Sequence, residues 1–127
     1  MDGGITDPIP VTNAINSGCT HILVLLTRPM GFVARPFQGV ERFVLERWLR
    51  GWDPCFVHAF FNVRSRRYNE ARAIAFGQVA APNGIEIAVI APTGREPRVT
   101  RLTVSRKRLE GAMQASTAST IALFGET

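Results

Sequence analysis

The chain has 127 residues, 46% hydrophobic and 20% charged, the balance of a single globular domain with a modest core rather than of a disordered or fibrous chain. Its longest apolar runs, residues 22–26 and 87–91, fall far short of the ~18 residues that span a bilayer, and the N-terminus has neither the basic start nor the apolar core of a secretory leader. The expected place is the cytoplasm, with peripheral membrane attachment open. The net charge of +5 lies wholly in residues 64–127, where nine Arg and one Lys face five Glu, while five Arg and five acids cancel in residues 1–63.

The opening run Met1-Asp2-Gly3-Gly4-Ile5-Thr6-Asp7-Pro8-Ile9-Pro10 reads as a loop. Gly3 and Gly4 permit backbone angles and close approaches denied to other residues, and Pro8 and Pro10 restrict the path out. Asp2, ahead of the glycines, is suited to delivering a carboxylate into a site, and Asp7 suits the turn itself. Residues 10–17 follow as one or two helical turns, with Pro10 at the first position and Gly18 in the left-handed position after the last. Residues 22–26, apolar in continuous series, predict a strand over 21–27 covered on both faces. Pro29, Gly31 and Pro36 make residues 28–38 a linker. Over residues 39–50, Val40, Phe43, Val44, Trp48 and Leu49 recur at helical spacing until Gly51 and Pro54 break the run. A looser stripe of Phe56, Phe60, Val63, Tyr68, Ala71 and Ile74 predicts a helix over 55–80, ended near Pro82-Asn83-Gly84. A second buried strand is expected at 85–91, closed by Pro92, Gly94 and Pro97. Ser105 suits the N-cap of a last helix over 105–118, with Val104 and Leu109 at the staple positions. Its small, polar tail at 115–120 is expected to fray.

Few side chains suggest chemistry of their own. Cys19 and Cys55 have no paired spacing and no clustered His, so no metal is implied, and two buried or half-buried thiols are expected. His21 before a strand and His58 among Phe56, Phe60 and Phe61 read as packed or hydrogen-bonded residues. Trp48, Trp52 and the phenylalanines of 56–61 are most simply core, the competing reading being an acyl-facing or membrane-contact surface. Two basic clusters, Arg64, Arg66, Arg67 with Arg72 and Arg98, Arg101, Arg106, Lys107 with Arg108, are solvated helix faces or patches for an anionic surface. Fourteen Arg against one Lys points to a coding bias, so arginine number alone does not mark phosphate recognition. No aromatic residues interleave with the bases of the last third, and no nucleic-acid motif is present, so no specific nucleic acid is expected as partner.

Four stretches carry a resemblance to a known family. Asp2-Gly3-Gly4 followed by Asp7-Pro8-Ile9-Pro10-Val11 resembles the Asp-Gly-Gly/Ala motif and Pro-Ile-Pro turn of patatin-like phospholipases. The apolar residues 22–27 with Arg28-Pro29-Met30-Gly31-Phe32, and then Arg66-Arg67-Tyr68-Asn69-Glu70, are similar to segments of the bacterial branch of that family. Residues 99–103 together with Arg108-Leu109-Glu110-Gly111 resemble its C-terminal segment. The resemblance spans nearly the whole chain. It implies a C-terminal portion of a three-layer α/β/α hydrolase, with residues 1–30 closing the catalytic core and residues 31–127 forming a C-terminal extension. It implies lipid or phospholipid ester hydrolysis by a Ser-Asp dyad, with Asp2 as the dyad carboxylate, Gly3 and Gly4 as backbone positions of the motif, and no cofactor. Tyr68-Asn69-Glu70 is expected to pack or cap a helix rather than touch substrate.

The family's nucleophile sits in Gly-X-Ser-X-Gly at a strand-to-helix elbow, and this chain has no such pattern; Ser17 lacks the glycine two places before it. The expectation is therefore a chain inactive alone and prone to self-association, because the strand at 21–27 would lack its neighbours. The alternative is a non-catalytic remnant or accessory module that binds a partner or an anionic membrane surface through its arginine-rich half.

Overall fold

The computed structural model describes residues 3–82, 84–95, 99–100 and 102–125. Six α-helices and two strands form among them: α1 (Gly3–Thr6), α2 (Val11–Asn16), β1 (His21–Leu25), α3 (Gly39–Trp48), α4 (Pro54–His58), α5 (Arg64–Ala75), β2 (Glu86–Ile90) and α6 (Arg106–Phe124), with a π-helical turn, Ala59–Val63, joining α4 to α5. The chain divides into two compact units, Met1–Ile22 with Val33–Glu86 and Leu23–Phe32 with Ile87–Thr127.

The first unit is helical around a small core of Ile5, Ile9, Val11, Leu49, Phe61, Ala71 and Ala75. Ala71 and Ala75 lie one turn apart on α5, and their small side chains let α1 and α2 pack close against it. The expected opening loop is a helical turn from Gly3, closed by the Asp7 amide donating to the Gly3 carbonyl at 2.7 Å. Pro10 stands just before α2 rather than inside it. Gly18 is left-handed at φ +83°, and the Gly18 and Cys19 amides bond back to Ile15 and Ala14, a Schellman closure. Asp53 caps α4 by accepting the Phe56 amide at 2.9 Å, with Pro54 in the first helical position, where its missing N–H costs nothing.

The helix expected over 55–80 differs in two ways. The π-helical turn interrupts it, and it stops at Ala75. Gly77 takes φ +68°, its amide bonds to Ile74 and the Gln78 amide to Ala73, so the last carbonyls are satisfied and the chain leaves the helix axis. That glycine is the stop signal, five residues before the Pro82-Asn83-Gly84 turn. Gly77→Ala is expected to cost about 1–2 kcal/mol, the strain of a Cβ in the left-handed region, measurable as a lower urea midpoint.

In the second unit the strands lie parallel: the Leu26 amide bonds to Ile90 and the Met30 amide to Pro92, advancing together along the chain. The residues that begin the two strands pair in the same sense within the first unit, where the Glu86 amide bonds to Thr20 at 2.8 Å. The strands are not covered on both faces as expected. In β1 only Val24 is buried, whereas Leu23 and Leu25 are exposed, and β2 has no buried residue although Ala91 just after it is buried. A continuous apolar run reports what a strand tolerates on each face, not whether a covering layer is present.

α6 runs to Phe124, past the expected end at 118. Thr117, Ser119 and Thr120 turn their hydroxyls back onto the carbonyls one turn earlier, so the polar side chains of the tail are satisfied within the helix. Ser105 takes the N-cap position with no side-chain cap bond, and Val104 is exposed, so the expected staple is absent.

Candidate functional site

Asp2, the expected catalytic carboxylate, lies outside the described residues. Gly3 and Gly4 open α1. Neither takes a positive φ, and a Cβ at Gly3 would meet nothing within 4 Å, so at Gly3 the expected need for conformational freedom or close approach is not realised. The residues just after the glycines are tightly held. The Arg67 guanidinium donates to the Thr6 carbonyl at 2.6 Å, placing a cation on the carbonyl end of α1. The Asp7 carboxylate accepts from the Asn13 amide, tying the turn at Pro8 to α2.

Two of the stretches that carry the family resemblance, sixty residues apart in sequence, thus meet in space. A shallow cleft of about 490 Å³ lies at their junction, lined by Thr6, Asp7, Thr12, Asn13, Arg67 and Glu70 with Ala71 as its floor. It offers a carboxylate pair, an amide and a guanidinium, and no serine, cysteine or histidine lines it. Such a set can orient a polar group, and no histidine stands beside the Thr6 and Thr12 hydroxyls in its lining to activate either as a nucleophile.

The remaining residues of the second stretch have structural work. Asn69 clamps the backbone of Ala34, accepting its N–H and donating to its carbonyl, both at 2.9 Å. This two-way bond is what an extended neighbouring strand would make, and it fastens the linker after Val33 to α5. Arg66 pairs with Glu70 one turn on, at 3.6 Å and well exposed, which contributes little to stability. The sequence predicts a packing or capping role for this segment; the particular partner, Ala34, is not legible there, because nothing in the linker marks it.

Other expected positions resolve plainly. His21 is exposed and 3.7 Å from the Glu86 carboxylate, and His58 bonds the Asn62 side chain at 3.3 Å, so neither is packed in the core. Cys19 and Cys55 are exposed free thiols rather than buried ones, since each sits in a surface turn or at a helix start. Among the described residues, arginines lie over aromatic rings in these pairs: Arg28 on Phe32, Arg42 on Phe61, Arg64 on Phe60 and Arg72 on Phe76. Arg64 and Arg72 of the first basic cluster are therefore engaged with their own unit, and Arg98 and Arg101 of the second lie outside the described residues. Trp48 and Trp52, expected in the core, are exposed.

The second unit holds a separate apolar cleft of about 640 Å³ between the ends of the strands and α6, with Leu26, Phe32, Ile90, Ala112 and Ala115 among its walls. Among the described residues no helix is long and apolar enough to cross a membrane. No family model, no curated protein and no solved structure matches the chain.

Proposed function

We propose that this chain supplies the aspartate half of a patatin-like serine acyl hydrolase, acting on a lipid ester in the cytoplasm at the periphery of a membrane. The reading rests on four stretches that resemble the family in the right order, above all Asp2-Gly3-Gly4 ahead of Pro8-Ile9-Pro10. It is supported by the bond from Arg67, in the second stretch, to the end of the helix that begins at Gly3. In the proposed chemistry a serine hydroxyl attacks the acyl carbonyl while the Asp2 carboxylate takes its proton directly. The alkoxide of the leaving alcohol then recovers that proton, and water cleaves the acyl-enzyme by the same relay. No cofactor enters this scheme.

The nucleophile and oxyanion donors have to come from a segment bearing Gly-X-Ser-X-Gly, because this chain contains none. The chain alone is expected to leave short p-nitrophenyl esters at the background rate. Joined in one polypeptide behind such a segment from a bacterial patatin-like enzyme, it is expected to turn them over and to react with an active-site serine reagent. A folded chimera without activity overturns the proposal, as does serine-reagent-sensitive turnover by the chain alone.

A further inference from the structure

A surface helix normally turns one apolar stripe inward and a polar one to water. α3 has an apolar stripe on both sides. Leu45 and the buried Leu49 mark the inner side, where Arg42 lays its guanidinium over the Phe61 ring at 5.4 Å. At 3.6 residues per turn, Val40, Phe43, Val44 and Trp48 gather on the opposite side, and all four are exposed, Trp48 by 70% and Val40 by 79%. Trp52, in the turn just after α3, extends the patch, its ring 6.1 Å from Trp48 and 5.1 Å from Phe56. Phe56 continues to Phe60 at 6.0 Å, and Phe60 to the buried Phe61 at 5.2 Å. The exposed rings are thus the outer end of an aromatic series anchored in the core.

Two cations lie on this side. Arg47 falls on the same side between Phe43 and Val44, and Arg50 follows one turn beyond; both are exposed. Among the described residues neither forms an ion pair, because the nearby Glu46 is held by Arg42 at 2.6 Å. Glu41 lies toward this side, and Asp53, next to Trp52, turns its carboxylate to the Phe56 amide.

We propose that the outer face of α3, with Trp52, docks on an anionic membrane surface. Indole rings settle at the headgroup level, valine and phenylalanine enter the acyl boundary, and Arg47 and Arg50 pair with lipid phosphates. The two unpaired arginines beside exposed indole rings favour lipid phosphates over a second copy as the occupant, and light scattering tests the second copy directly. The inference needs no nucleophile and stands apart from the acyl-hydrolase proposal.

Trp48 and Trp52 are the two tryptophans of the chain, so intrinsic fluorescence reads this face directly. Phosphatidylglycerol vesicles are expected to shift the emission to the blue, to shield it from acrylamide and to sediment the protein, while phosphatidylcholine vesicles do none of these. The Arg47→Gln/Arg50→Gln double variant is expected to bind anionic vesicles about 30-fold more weakly, from roughly 1 kcal/mol per basic side chain. Val40→Ser/Val44→Ser, folded by circular dichroism, is expected to lose binding as well. An emission unchanged by phosphatidylglycerol overturns the proposal. So does binding unaffected by both double variants, or a blue shift that arises without lipid and grows with protein concentration as dimers appear in light scattering.

Discussion

Asp2→Ala, in a polypeptide that joins this chain behind a Gly-X-Ser-X-Gly segment, is expected to lower kcat/KM on p-nitrophenyl butyrate by about 10²–10⁴-fold, the usual contribution of a general base. In a two-residue relay no histidine stands between serine and carboxylate, so no second group can take the proton when Asp2 is removed. Asp2→Asn keeps the size and removes the basicity, and it is expected to lose nearly as much; that separates proton transfer from simple positioning. Stability should stay within about 0.5 kcal/mol, since the sequence places this residue in the opening segment rather than at a core position. Steady-state kinetics beside a urea melt makes the check. Activity near that of the parent polypeptide would end the dyad assignment, whatever the fate of the membrane face on α3.

Phe61→Ala is expected to destabilise the first unit by about 3–5 kcal/mol, a large share of the ~5–15 kcal/mol that holds a domain together. Phe61 is buried and meets Phe60 edge-on at 5.2 Å and Phe37 edge-on at 5.9 Å, with Arg42 over its face. Removing the ring leaves a cavity where α3, the π-helical turn and the linker before α3 converge. At a urea dependence of ~1–3 kcal/mol/M, the midpoint should fall by at least about 1 M. Trp48→Ala, on the exposed end of the same aromatic series, should move it little, within about 0.5 kcal/mol. Equal effects from the two substitutions would contradict the burial that separates them.

Local chemistry made several elements legible. Gly18 after α2, Gly51 and Pro54 ending the run of α3, the helical spacing over 39–50 and the strands at 21–27 and 85–91 act through their own backbone angles, missing N–H groups or side-chain periods, and so they can be read one segment at a time. The same local logic reached Tyr68-Asn69-Glu70 as a holder of structure, and Asn69 has that role.

What the sequence by itself determined is thus the centres of most helices and of both strands, though not the helical turn at Gly3 or the ends at Ala75 and Phe124. Only the tertiary structure decided which faces are covered. Phe61 and Trp48 are both large aromatics in helical runs, yet one is buried and the other exposed, because burial depends on what packs opposite and a residue's own period carries no record of that. Leu23 and Leu25 are open for the same reason. Arg67 and Asn69 reach Thr6 and Ala34 across sixty-one and thirty-five residues, since a hydrogen bond between distant segments is set by how α1 and the linker before α3 pack on α5 and not by the residues near either partner.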